Sequence, residues 1–525
     1  MSKVLSSPSE TLDTIVVGGG VGGLSAALRV AGAGGRVVVL ERATEVGGKM
    51  RVVRVGGHEI DAGPTVLTMR HVFERLWGEA GLDFHAAVPT RPLEVLARHA
   101  WPGGATLDLF ADEERSADAI AAFAGKREAA AFRRFHKHAA KIYETVKGPF
   151  IEAETPGIMA GLSRTGPGGL WQLMRIDWHR SLWRTRGSFF RDPRLRQLFA
   201  RYATYYGSNP FSAPGTLSLI ANVEQAGVWR VDGGMIRLAR ATARAIESLG
   251  GEVRCGTDVV ELLTDGDGVC GVRCSDGTTL RAKNVIFNGS PAALQRGLLG
   301  KPATAAMPAR SPEPSLSAVT FCGVGKAERF DLQWHNVFFS EDYEAEFDAI
   351  FKHGRVPVSP TTYICAQDRG SLHEASERER LFCLINAPAR GGDDDFVAEI
   401  DSCKNRMTQV LSRCGLTLTM DPASTVVTTP NEFASMFPQT KGALYGPATH
   451  GATSAFARPG ASTKIPGLYL VGGEAHPGAG LPMVTLGGRI AADRVLDRLG
   501  LTRTSPTAGT RGGMSMPSAK TASWR

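Results

Sequence analysis

Hydrophobic positions along this chain follow two periods, and the switch between them marks out its elements. Residues 14–17 (TIVV) form a short β-branched apolar run, 24–30 (LSAALRV) are spaced as a helix, and 36–40 (RVVVL) are a second apolar run. Together residues 13–40 predict strand, tight turn, helix, strand. Residues 70–225 are mixed and largely helical, including the stretch AIAAFAGKREAAAFRRFHKHAAKIYETV at 119–146. The pattern changes at 228–290: Gly233 and Gly234 precede a helix, and short strands follow, separated by DGDG (265–268) and SDG (275–277). Those separators are hairpin signals. Residues 300–440 mix strands and helices. After Gly467 the run LYLV leads through a Gly/Pro turn into a last helix ending near Leu499. Residues 1–12 read as a flexible lead and 501–525 as a disordered tail. No repeat of fixed period is present.

A length of 525 residues allows two to four domains and a large core. With 43% hydrophobic and 21% charged residues, the composition is that of a globular protein, and it excludes a disordered, collagen-like or disulfide-dense scaffold. The 62 glycines sit in clusters, which points to backbone geometry at particular turns. The net charge of +8 is concentrated: residues 161–201 carry +7, residues 501–525 carry +4, and the remainder is slightly negative. A general nucleic-acid binder would spread its charge over a groove, so no nucleic-acid partner is expected. The eight cysteines all lie between Cys255 and Cys414 and form no C-x-x-C pair. With no signal peptide in MSKVLSSPSE, they suggest reduced thiols in a reducing compartment. Residues 15–40 are apolar enough to suggest a membrane span, but they hold eight glycines, Arg29 and Arg36, and no spanning helix is predicted.

The first glycine cluster satisfies G-x-G-x-x-G with Gly18, Gly20 and Gly23, after a strand and at the start of a helix. Gly18 permits the tight turn, Gly20 lets the backbone approach a pyrophosphate, and Gly23 lets helix and sheet pack closely. The helix start offers unpaired N–H groups and a positive dipole end. Glu41 ends the second strand, where a carboxylate accepts from ribose hydroxyls. A second glycine loop, with Gly47, Gly48 and Lys49 followed by Gly56, Gly57, Asp61, Gly63 and Pro64, comes straight afterwards. An NAD fold does not require it; a flavin, with its ribityl chain and ring system, does.

The C-terminal cluster GLYLVGGEAHPGAGLP (467–482) precedes the last helix. Its glycines let the backbone pass close to a flat ligand, and Pro482 suits a first helical turn. That helix start would stabilise negative charge on a reduced flavin. Glu474 suits a ribityl or ribose hydroxyl. His476 invites a catalytic role, but a structural histidine set by Pro477 is the preferred reading.

The set G-x-G-x-x-G, E-x-x-x-x-x-G-G-K, D-A-G-P and H-P-G-A-G-x-P resembles bacterial carotenoid desaturases of the phytoene desaturase type. GVWRVDGGMIRLARAT (227–242), GALYGP (442–447), FARPG (456–460) and GLYLVGG (467–473) add to the resemblance, which spans about 13–500. It implies an α/β fold: a Rossmann-like, doubly wound FAD-binding domain with a mixed α+β substrate domain, in a flavin amine-oxidase-like architecture. FAD-binding parts would lie at 13–70, 226–297 and 456–500, a substrate and membrane-docking region at 71–225, a substrate domain at 298–455, and the tail at 501–525. Carried over by position, FAD would contact Gly18, Gly20, Gly23, Glu41, Gly48, Lys49, Val259, Glu474, Gly480 and Pro482, with Asn288, Gly289 and Ser290 as a second approach to the pyrophosphate. The family implies FAD-dependent removal of hydrogen from a long hydrophobic polyene, on the cytoplasmic side of a membrane and peripheral to it. The ending GLPMVTLGGR is more similar to hydroxycarotenoid 3,4-desaturases (methoxyneurosporene dehydrogenases) than to phytoene desaturases, which implies a substrate such as 1-hydroxyneurosporene. Quinone or oxygen would reoxidise the flavin.

Residues 161–201 combine their charge with Trp171, Trp178, Trp183, Phe189, Phe190 and Phe199. On a helix, Trp171, Met174, Trp178 and Leu182 would form one stripe, as in an interfacial helix on anionic lipids. No metal site is expected: His136 and His138 at i, i+2 do not share a helix face, and Cys270 and Cys274 have no histidine partners. Asp393, Asp394 and Asp395 read as a solvated helix start. No catalytic residue is assigned, because the cofactor would carry the redox chemistry. Three alternatives remain: a phytoene desaturase, a flavin amine or porphyrinogen oxidase, and a non-enzymatic lipid escort resembling the Rab GDP-dissociation inhibitors, which lack the intact cofactor glycines.

Overall fold

A computed structural model describes residues 11–154, 176–308, 312–370, 377–392, 396–451, 454 and 458–501. Its first sheet grows from the N-terminal strand Leu12–Val17, where Ile15 and Val16 are fully buried. Strands buried on both faces read as continuous apolar runs and pair in parallel. Thus Leu12–Val17 lies between Val37–Glu41 and Thr279–Phe287, with Glu252–Cys255 and Leu468–Leu470 parallel at the two sides. The DGDG and SDG turns fold Val259–Asp265 and Gly268–Cys274 back antiparallel beside Thr279–Phe287. Helix Val21–Gly32 packs against Leu481–Leu499, Ile236–Ser248 and Arg70–Glu79. The last of these carries Phe73, Leu76 and Trp77 into the same core. The expected boundary at residue 70 is therefore displaced, because the chain to about 88 belongs by its packing with the first sheet.

The second sheet runs, in order, Thr417–Thr428, Ser317–Glu328, Glu379–Ala387, Thr362–Ala366, His335–Phe338, Val95–Ala100, Thr106–Phe110. All its pairs are antiparallel except His335–Phe338 with Val95–Ala100. A helical layer packs on its far edge, where Trp101, Leu107 and Phe339 meet Phe132, Phe135 and Phe199. The helical stretch 119–146 is two helices, Glu113–Ala124 and Lys126–Val146, broken at Gly125 with φ 95°. Among the described residues no helix is long and apolar enough to cross a membrane.

The basic aromatic segment departs from expectation. Residues 161–175, with Trp171 and Met174, lie outside the described residues. Trp178 stands in a turn after Asp177, whose φ of 53° is left-handed, so no continuous helix joins Trp178 to Leu182. Helix Leu182–Phe189 begins afresh, capped by Ser181. Leu182, Phe190 and Phe199 are buried in the core, where the Phe190 and Phe199 rings stack at 4.7 Å. Arg186 is fully buried, 4.0 Å from the Phe135 ring centroid, so it does not face lipid headgroups. Protein thus covers these rings in the core, where their burial stabilises the fold.

All eight thiols are free and six are buried. His136 pairs with Glu113 and His138 with Asp177, on different sides of their helix. Among the described residues no three metal-ligating side chains cluster. Residues 393–395 and 502–525 lie outside the description.

Glu346, on helix Tyr343–Phe351, is buried, and its carboxylate accepts from the Ser340 and Thr361 hydroxyls. Burial pushes its pKa from 4.5 up to about 7. Between those values the folded chain holds a proton that the unfolded chain has lost. Stability therefore falls as pH rises through the window, by up to about 1.4 kcal/mol per pH unit. Glu346→Gln is expected to flatten that slope in unfolding midpoints measured between pH 5 and 7.

Candidate active site

One cavity of about 610 Å³ runs between the two sheets. Eight of the ten residues expected at a cofactor line it: Gly18, Gly20, Glu41, Gly48, Lys49, Val259, Glu474 and Gly480. Gly23 and Pro482 do not. A Cβ on Gly23 would stand 2.3 Å from the Gly18 carbonyl oxygen, so this glycine lets the helix close onto the turn from behind. Pro482 is buried in the first turn of Leu481–Leu499, whose neighbours Leu481 and Val484 reach the cavity instead.

Asn288 is the wedge that holds the glycine turns. Its amide donates to the Gly18 carbonyl at 3.2 Å, and its backbone N–H donates to that of Val17 at 2.8 Å. A Cβ on Gly20 would meet the Asn288 amide at 2.9 Å, and one on Gly472 its side-chain oxygen at 3.0 Å. The requirement for glycine at position 20 is thus set first by this side chain. Glu41 accepts from the N–H groups of Gly19 at 2.6 Å and Ala43 at 2.8 Å, which ties the first turn to the end of the second strand. Each carboxylate oxygen retains acceptor capacity toward the cavity.

Helices Val21–Gly32 and Leu481–Leu499 both start at the cavity, from Gly20 and Gly480. Neither start has a capping side chain or an acidic residue in its first turn. Elsewhere Asp112, Asp192 and Asp342 supply such caps. Two uncapped, positively polarised helix ends opening into one cavity fit a ligand with negative charge at two places. Lys49 adds a cation. Its ammonium is part-buried and donates to the carbonyls of Leu444 at 2.9 Å and Ala443 at 3.3 Å. Burial lowers its pKa, and the Glu474 carboxylate opposes that. Glu474 in turn accepts from the Ser290 hydroxyl at 2.8 Å.

The opposite wall comes from the second sheet and the loops beyond it, with Thr320, Phe382, Leu384, Phe433, Leu444 and Tyr445. Burial pushes the Tyr445 phenol up to about 12, so it stays protonated. Arg458, which sequence reasoning passed over although it stands in FARPG, is buried and donates to the carbonyls of Gly473, Tyr445 and Pro447. It joins the two walls. His476 is absent from the cavity lining; its Nε2 lies 2.9 Å from the Ala153 carbonyl oxygen, in keeping with a structural role.

Residues 21–496 match the family of flavin containing amine oxidoreductases. The chain is 45% identical to a hydroxyneurosporene desaturase of Rubrivivax gelatinosus, covering 98% of this chain and 99% of that protein. It is 43% identical to a hydroxyneurosporene desaturase of Cereibacter sphaeroides, over 92% and 97%. Among solved structures, an oxidoreductase from Methanosarcina mazei superposes with a TM-score of 0.59 at 16% identity, over 92% of this chain and all of that one, which shows the shared fold. The chain therefore belongs to the flavin containing amine oxidoreductase family, among its carotenoid desaturases, and uses FAD.

Proposed function

We propose that this chain oxidises a long hydroxylated carotenoid, forming the 3,4 double bond of a polyene such as 1-hydroxyneurosporene. One observation carries the reading: among the described residues every charged side chain lining the cavity comes from the dinucleotide-binding segments, while the wall facing them is apolar apart from hydroxyl groups. A polyene fits such a wall. An amine substrate would require an anionic anchor there, and a lipid escort would not keep the glycine turns. Glu41 would hold the adenosine ribose, Val259 the adenine, the amides after Gly20 the pyrophosphate, and Glu474 with Lys49 the ribityl side. The start of Leu481–Leu499 would face the pole of the ring that gains charge. Bound FAD supplies the hydride acceptor. The protein aligns the polyene and excludes water, and quinone or oxygen would regenerate the oxidised cofactor.

Expression in a host that makes neurosporene and 1-hydroxyneurosporene, with chromatography of the products, tests this. Conversion of the hydroxylated polyene alone is the expected result. Conversion of phytoene would keep the desaturase and change the substrate; no conversion by a folded, FAD-loaded protein would refute it.

Peripheral attachment to the cytoplasmic side of a membrane belongs to the same proposal, since the substrate resides in lipid. Exposed Arg180 and Arg184 support it. At about 1 kcal/mol for each basic residue near an anionic surface, Arg180→Gln with Arg184→Gln should weaken co-sedimentation with anionic vesicles roughly 30-fold. Unchanged co-sedimentation would remove these residues from any docking surface.

A further inference from the structure

The face of the second sheet that lines the cavity continues beyond it. Across the strands Thr320, Leu384, Tyr363, Val337 and His99 stand in one row, and Cys322, Phe382, Cys365 and His335 in the next. Thr320, Leu384 and Phe382 belong to the cavity wall. With strands about 4.8 Å apart, Tyr363 lies one strand past Leu384 and His335 two past Phe382. The Tyr363 and Phe382 rings meet edge to face at 6.3 Å. From the other side comes Thr65, next to Pro64, which also lines the cavity.

These neighbours, which are not among the residues lining the cavity, form a hydrogen-bonded chain one or two strands past its wall. The Tyr363 hydroxyl lies 2.6 Å from the Thr65 hydroxyl and 2.6 Å from His335 Nδ1. His335 is 2% exposed, and its Nε2 has no partner. Burial, with the Arg201 charge adding to it, pushes its pKa down to about 3, so the ring is neutral. Arg201 is held nearby by Glu224 at 3.7 Å. A neutral imidazole engaged through Nδ1 presents Nε2 as donor or as acceptor, according to the tautomer. A buried polar atom left unpaired costs about 1–3 kcal/mol. An alcohol, which both donates and accepts, satisfies either tautomer; an alkyl end group satisfies neither.

We infer that Thr65, Tyr363 and His335 form a socket for the hydroxyl group of the carotenoid and select hydroxylated over unhydroxylated polyenes. The inference rests on the substrate reading above. It also agrees with the geometry of that substrate, whose hydroxyl lies two carbons from the bond to be oxidised. The socket must then adjoin the wall where Gly63 and Pro64 meet the cavity, as Thr65 does.

The test uses the FAD-loaded protein, its flavin reduced with dithionite under anaerobic conditions to block turnover, incubated with equal amounts of 1-hydroxyneurosporene and neurosporene in detergent. The ratio of the two polyenes retained after gel filtration is read by chromatography. The wild type should retain the hydroxylated polyene at least tenfold in excess. Tyr363→Phe and His335→Leu should each lower that ratio about tenfold, with FAD content unchanged, and should lower kcat/KM for the hydroxylated substrate by the same factor. Thr65→Val offers a third variant if His335→Leu does not fold. A wild-type ratio near one, or the same ratio in a folded Tyr363→Phe variant, would overturn the socket. Retention of neither polyene by the wild type would instead overturn the substrate reading, and the socket with it.

Discussion

Gly23→Ala is expected to give a protein that carries less than a tenth of the normal FAD and unfolds at a lower temperature. The added Cβ would lie 2.3 Å from the Gly18 carbonyl oxygen and 3.0 Å from both a Val16 methyl and the Asn288 amide. Backbone cannot swing aside as a side-chain tip can, so helix Val21–Gly32 must lift from strand Leu12–Val17. Overpacking of this kind costs about 1–3 kcal/mol. The same movement displaces the amides that follow Gly20 from the cavity. Gly20→Val provides the contrast. Its Cβ meets the end of the Asn288 side chain at 2.9 Å and the Gly48 Cα at 4.0 Å, on the cavity side of the turn. It should therefore lose FAD with a smaller change in stability. Flavin absorbance per protein and calorimetric unfolding separate the two variants. Full FAD content in Gly23→Ala would show that the helix and the cofactor site are not coupled through this contact.

The parts of the molecule that were legible in the sequence are those whose chemistry is local. A strand, three spaced glycines and a helix lie within residues 12–32, and their geometry is dictated by backbone sterics. Glu41 follows because the second strand has to end beside the first turn. The apolar wall was not legible. Thr320, Phe382 and Leu384 become neighbours only through strand register between segments some sixty residues apart, and the parallel pairing of His335–Phe338 with Val95–Ala100 spans still more chain. The role of Asn288 in requiring glycine at position 20 was hidden for the same reason. The basic aromatic segment shows the opposite error. Trp171, Met174, Trp178 and Leu182 satisfy helical spacing on paper, but Asp177 takes a left-handed conformation and the rings further along find Phe135 in the core. Periodicity records which residues are apolar; it does not say whether protein or lipid covers them. Arg458 was missed because an isolated arginine in a loop carries no spacing signal, although three backbone carbonyls converge on it.

Arg29→Ala is expected to destabilise the protein by about 3–5 kcal/mol and to loosen FAD, although Arg29 does not line the cavity. Its guanidinium, 3% exposed, lies 3.2 Å from Asp493 and 3.5 Å from Glu79, both 7% exposed. The three residues stand on helices Val21–Gly32, Leu481–Leu499 and Arg70–Glu79. The first two are the helices whose open ends face the cavity, so the ion cluster sets the separation of the two positive poles that FAD must bridge. Removing the cation leaves two buried carboxylates with Arg489, 3.0 Å from Glu79, and the half-exposed Arg75 as their remaining partners. Arg29→Met with Asp493→Leu distinguishes loss of packing from loss of charge. It keeps apolar volume between the helices and removes one carboxylate, leaving Glu79 to Arg489 and Arg75. Because well-packed hydrophobic replacements of buried ion pairs are often neutral, this pair should recover at least half of the stability lost in Arg29→Ala. Denaturant unfolding followed by tryptophan fluorescence measures both, and flavin release on dilution reports the helix ends. A shift below about 1 kcal/mol in Arg29→Ala would mean that the packing of Leu24, Leu28 and Val495 alone holds the helices in place, and that the ion cluster sets neither their separation nor the affinity for FAD.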